Sequence, residues 1–211
     1  MSSPQRAPLQ RSPNPPVPSE AAAVTTGSYW LVPVLRAIPA VVVGLIITFT
    51  EDHGPRTGLI AFGVFAVVSG IILFAGSLRM LADRVVRGMF ITQATISLIA
   101  GAAALVLWGS GIGVLLLIVT VYTALTGALE LYSGLRSRGV APARDWVSVG
   151  AYTAVAAIVF VLIPPDSILA IGLIGAYGII LGVFLMIAGL SLKWASGKPG
   201  ESGPVEGKVS Q

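Results

Sequence analysis

The sequence predicts an all-α polytopic membrane protein: six transmembrane helices arranged as three tandem helical hairpins, with both termini cytoplasmic. Three observations carry this. First, 55% of the 211 residues are hydrophobic and only 10% are charged, with a mean hydropathy of +0.89. A soluble domain carries about 25% charged residues, so most of this surface faces lipid rather than water. Second, six apolar stretches of about 20 residues, the length that crosses a hydrocarbon core, follow one another along the chain. Third, the lysines and arginines gather at alternate chain connections.

In chain order, residues 1–28 come first, with six of the 14 prolines and few apolar side chains. Such a segment cannot bury enough surface to order itself and is expected to be a disordered cytoplasmic tail. The apolar run that begins near residue 29 is long enough to span, which argues against a cleaved signal peptide. The spans then run about 30–50, 57–77, 86–108, 111–133, 147–163 and 167–192. They are too long, and too rich in Ala, Leu and Gly, for buried strands. Pro39 falls inside the first, where a kink is expected. Pro164-Pro165 closes the fifth, and Asp166 or Ser167 is placed to cap the sixth. The membrane domain is thus 29–194, with hairpins 30–77, 86–133 and 147–192, and 195–211 reads as a second disordered cytoplasmic tail.

Cytoplasmic loops collect Lys and Arg. Of the 13 basic residues only Arg56 lies in the loops 51–56, 109–110 and 164–166. Arg6, Arg11, Arg36, Arg79, Arg84, Arg87, Arg136, Arg138, Arg144, Lys193, Lys198 and Lys208 all lie toward the other side. Trp30, Trp108, Trp146 and Trp194 all sit at span ends, where amphipathic rings prefer the interface. Topology therefore accounts for the net charge of +4 without a nucleic-acid partner. The partner implied is the lipid bilayer itself, with anionic lipid at the arginine-rich loops Arg79/Arg84/Arg87 and Arg136/Arg138/Arg144.

The even-numbered spans share an internal repeat: "FAVVSG" at 65–70, "YTALTG" at 122–127 and "YGIILG" at 177–182. Gly70, Gly127 and Gly182 are 57 and 55 residues apart, and Arg79 and Arg136 each follow their glycine by nine positions. The pairs Ala66/Gly70, Thr123/Gly127 and Gly178/Gly182 are small-xxx-small faces, suited to close helix packing. The competing reading is that these faces line a transport pathway, since some transporters are built from parallel repeats.

One carboxylate stands inside a span. Glu130 lies about 27 Å along its helix at 1.5 Å per residue, close to the inner edge of the hydrocarbon. Thr123, Thr126, Glu130 and Ser133 share a helical face, and Gln93, Ser97 and Gly101 share one on the preceding span. The short "WGSG" turn brings Gln93 and Glu130 to similar depth. A Gln93–Glu130 hydrogen bond is expected, with Arg36 or Arg87 neutralising the carboxylate. Three roles are open for this polar cluster: a structural clasp, an exposed interfacial charge, or a proton-carrying or ligand site. For a clasp, Glu130→Gln is expected to cost little, because polar contacts in membranes average only about 0.6 kcal/mol.

His53, in "TEDHGPR", stands between acids and a basic residue, a setting in which it could sense pH or simply be solvated. With no cysteine and one histidine, thiol chemistry and clustered-histidine metal sites are excluded. No phosphate loop, helical H-E-x-x-H or serine-based motif is present. Neither a cofactor nor a metal is implied, and an enzyme is the least favoured class.

The hairpin repeats, "ALTGALELYSGLR" with glutamate three residues after glycine, Arg36 and Arg87 opening the first two hairpins, and six spans in about 200 residues resemble the HdeD-like acid-resistance membrane proteins. The resemblance covers roughly residues 30–192. The third hairpin departs from it, with "RDWVSVG" at its start and no acid after Gly182. The resemblance implies a non-enzymatic protein of the bacterial plasma (inner) membrane, contributing to acid or envelope stress tolerance. The alternatives are a small transporter or channel for protons or small solutes, alone or as a homo-oligomer, and an accessory subunit of a membrane complex.

Overall fold

A computed structural model describes residues 28–137 and 142–196. The two expected disordered tails, apart from Ser28 and the last residues of the final helix, lie outside the described residues, as does Arg138. Among the described residues six helices form: α1 Leu31–Phe49, α2 Pro55–Met80, α3 Arg84–Val106, α4 Ile112–Arg136, α5 Ala143–Leu162 and α6 Ser167–Ser196. Each is long and apolar enough to cross a membrane, and the chain is a multi-pass membrane protein. Several helices outrun the apolar stretches that mark them. Hydropathy reports the part in hydrocarbon, while the backbone goes on into the interface until a cap or proline ends it.

Those ends have local causes. Pro55 opens α2, where a missing N–H costs nothing. Asp83 caps α3 by accepting the Val86 N–H at 2.8 Å. At α6 the cap is Asp166, whose Oδ1 accepts the Leu169 N–H at 2.8 Å. α1 continues through Pro39, whose ring leaves the Leu35 carbonyl without its intrahelical donor.

The helices form a closed ring in chain order, with α6 packed against α1. The three expected hairpins are not where the packing is most extensive. Consecutive helices do adjoin, but the most extensive seams are α2/α3, α4/α5 and α1/α6. The repeat glycines explain the difference. A Cβ on Gly70 would meet Leu98 and the Ala94 carbonyl of α3, one on Gly127 the Ala154 backbone of α5, and one on Gly182 Val41 and the Ala37 carbonyl of α1. Each even helix thus closes on the helix after it, and for α6 that helix is α1. The sequence marks which residue permits close approach but not which neighbour approaches.

α2 also reaches α4 and α6, so the even helices sit nearest the axis. There the aromatics of the repeat are buried: Phe65, Tyr122 and Tyr177. Phe62 meets Tyr122 edge-on at 5.2 Å, and Phe160 meets Tyr177 at 6.1 Å. These rings, with Leu59, Leu115 and Ile171, fill the core. Lys193 Nζ lies 4.8 Å from the Trp30 ring centroid, so the start of α1 and the end of α6 share one face of the membrane, the terminal face.

Candidate functional site

The repeat also positions the polar site. Gly44 and Gly101 are 57 residues apart, as are Arg36 and Gln93, and a further 57 leads to Gly150. Gly44 packs on Gly175 and Ile179 of α6, and Gly101 on Gly63 and Val67 of α2, which confirms the register. Arg36 and Gln93 therefore occupy equivalent places on α1 and α3. Gly150, the third, lies against the backbone of Glu130 and Leu131. On the even helices the counterparts of Glu130 are Leu73 and Leu185, both buried. Glu130 thus stands where the other two repeats have leucine, and two of the three facing positions carry donors.

The geometry is a clasp. Arg36 Nη1 donates to Glu130 Oε1 at 3.2 Å, and Gln93 Nε2 donates to Oε2 at 3.2 Å. Arg36, Gln93 and Glu130 are 6%, 1% and 3% exposed, which removes the reading of Glu130 as an exposed interfacial charge. Arg36–Glu130 is the ion pair found among the described residues. Arg87, the other cation expected beside the carboxylate, is half-buried and forms no ion pair with Glu130. It stands six residues before Gln93 on α3, nearer the helix end, whereas Arg36 shares the depth of Gln93.

The hydroxyls expected around Glu130 serve their own helices instead. Thr123 bonds the Val119 carbonyl at 2.8 Å, Thr126 that of Tyr122 at 2.7 Å, Ser133 that of Leu129 at 2.7 Å and Ser97 that of Gln93 at 2.9 Å. Such back-bonding is the usual fate of Ser and Thr inside a helix. Among the described residues two buried polar atoms keep no partner, Arg36 Nε and Ser69 Oγ, and an unpaired buried donor costs about 1–3 kcal/mol.

Beyond the clasp, toward the terminal face, Trp146 Nε1 donates to the Tyr29 hydroxyl at 3.0 Å, and the two rings meet edge-on at 5.9 Å. Phe90 packs on Trp146 at 5.0 Å. A crevice of about 10 Å³ lies between this lid and the clasp, lined by Tyr29, Arg36, Glu130, Asp145 and Trp146 among others. A second concavity, a groove of about 390 Å³ between α3 and α4, is lined by Ile96, Ile99, Ala100, Leu117, Val121 and Tyr122. It faces hydrocarbon and offers no charged group.

The predicted packing residues lie in the bundle. Ala66 and Thr123 are fully buried, and a Cβ on Gly178 would meet the Ala40 carbonyl at 2.9 Å. His53 sits at the opposite face, half-buried, with Nδ1 3.2 Å from the Glu51 carbonyl. Its neighbour Asp52 accepts from Thr57 Oγ1 at 2.7 Å and the Gly54 N–H at 2.8 Å. Those two hydrogen bonds, chiefly the one from Thr57, hold the Asp52 carboxyl below the usual carboxylate range. At the same face Arg56 lies 4.1 Å from the Trp108 ring centroid. Arg79, Arg84, Arg136 and Arg144 are exposed toward the terminal face. Among the described residues no cluster of three His, Asp or Glu could hold a metal.

No protein-family model, curated protein or solved structure matches this chain.

Proposed function

We propose that this chain is a non-enzymatic, close-packed protein of the bacterial plasma membrane, HdeD-like, with its terminal face in the cytoplasm and a role in acid or envelope stress tolerance. One observation carries the non-transport part of this reading. Both oxygens of the intramembrane carboxylate are held by protein donors, and the adjoining crevice has a volume of only about 10 Å³. A transporter needs a site that a solute can enter and leave. Here the polar side chains satisfy one another, and aromatic rings fill the axis beyond them. The arginines at the terminal face support its cytoplasmic placement by the positive-inside rule and make it a surface for anionic lipid.

The test joins physiology to flux. A deletion strain is challenged with acid and rescued with wild-type protein or Glu130→Gln, and purified protein in liposomes is assayed for proton leak. The expected outcome is acid sensitivity on deletion, rescue by wild type, and no proton leak above protein-free liposomes. Unchanged survival on deletion would remove the stress role, and saturable proton flux abolished by Glu130→Gln would replace this reading with transport.

A further inference from the structure

The clasp leaves one strong donor unspent. Arg36 Nη1 is committed to Glu130, but Arg36 Nε is buried and has no partner among the described residues, on a side chain 8% exposed. Arg36 lines the crevice of about 10 Å³ described above. A cavity of this size admits about one water, which needs two to four polar partners. The residues that line it include Arg36, Glu130, Asp145 and Tyr29, which carry a guanidinium, two carboxylates and a hydroxyl. Two carboxylates against one guanidinium disfavour an anion and favour a neutral molecule that both donates and accepts.

The position of the crevice is one-sided. Its lining comes from the start of α1, the start of α5 and the last turns of α6, and Glu130 lies six residues before the end of α4. All of these are at the terminal face. In the opposite direction the axis is filled by Phe62, Phe65 and Tyr122, with ring centroids 5.2 to 6.3 Å apart.

We propose that the crevice is a hydration site: one water held by Arg36 Nε–H and the Glu130 carboxylate, reached past half-buried Asp145, so that the intramembrane ion pair is solvated from the terminal face alone. A charged pair inside the bundle then keeps one contact with solvent, and the other face stays sealed by aromatic packing.

Full-length protein carrying ¹⁵N-arginine, in phosphatidylcholine–phosphatidylglycerol nanodiscs, tests this by magnetic resonance. The Arg36 Nε–H signal is identified by its loss in Arg36→Lys. Magnetisation transfer from water to that proton is the expected result, and transfer from protein protons alone would overturn the site. Exchanging gluconate for chloride should leave the signal in place, whereas a saturable shift would show a halide in the crevice and overturn the assignment to water. Asp145→Leu, which greases the entry, is expected to slow deuterium exchange at Arg36 Nε several-fold. An unchanged rate in that variant, with wild-type water transfer intact, would overturn entry past Asp145.

Discussion

At the scale of single residues, the Arg36–Glu130 pair changes what Glu130→Gln should do. With Gln93 as the only partner the substitution would be mild. With a buried guanidinium left uncompensated it is expected to cost about 3–5 kcal/mol. Arg36→Met should cost a similar amount, and the double variant Arg36→Met/Glu130→Met much less than the sum. A double-mutant cycle on unfolding in nanodiscs reads this coupling directly, and additive losses would show that the pair does not act as a unit. Ser69→Ala removes a buried hydroxyl with no partner among the described residues and is expected to be neutral or stabilising by up to about 1 kcal/mol. At the opposite face, Asp52 is held below its ordinary value in the folded protein. Its contribution is therefore complete above the unfolded carboxylate's range and is lost as pH falls through the lower, folded value. Amide exchange at the first turn of α2 should speed up on acidification, and Asp52→Asn should remove that dependence while leaving the rest of the bundle unchanged.

At the scale of elements, the seams are set by glycine, and glycines of identical chemistry should differ sharply in tolerance. A Cβ at Gly150 would enter the Glu130–Leu131 backbone, and one at Gly127 would stand 2.7 Å from Ala154 N. Neither obstacle is a flexible side chain, so Gly150→Ala and Gly127→Ala are each expected to cost about 1–3 kcal/mol. Gly113 and Gly172 meet nothing within 4 Å, and replacing either with Ala should be neutral or stabilising by up to about 1 kcal/mol, the intrinsic helix preference. Thermal unfolding in detergent ranks the four. This contrast also marks how far the sequence could be read. The apolar runs, the glycine repeat and the depth match of Gln93 with Glu130 were all legible, because hydropathy and helical period are local properties. The choice of Arg36 over Arg87 was within reach as well, since Arg36 stands one repeat length before Gln93, but it required applying the repeat to the odd helices. The pairing of α1 with α6 was not legible. A small residue shows that a neighbour comes close, and its identity depends on how the whole ring closes.

For the whole molecule, closure predicts tolerance to reconnection. The chain ends of the bundle meet at Trp30 and Lys193, and compact domains with adjacent ends usually accept circular permutation. A permutant that joins residue 196 to residue 28 through a short polar linker and opens between Leu81 and Asp83 keeps all six seams. It also keeps every new end on the terminal face. It is expected to insert and to unfold within a few degrees of the parent, whereas opening at Ser110, on the opposite face, would require both new ends to cross the membrane and should abolish insertion. Protease protection in inverted vesicles distinguishes the two.

The separation of 94 residues between Arg36 and Glu130 has a consequence for biosynthesis. The ribosome adds about 5–20 residues per second, so α1 enters the bilayer roughly 5–20 seconds before its counter-charge exists. A buried arginine is costly on insertion, and during this interval the long side chain must reach back to the headgroups from a site only about one and a half turns inside the helix. The α6 face that will cover α1 arrives later still. The nascent first span is therefore an orphan for most of translation, and nascent chains stalled before α4 are the ones most exposed to quality-control proteases.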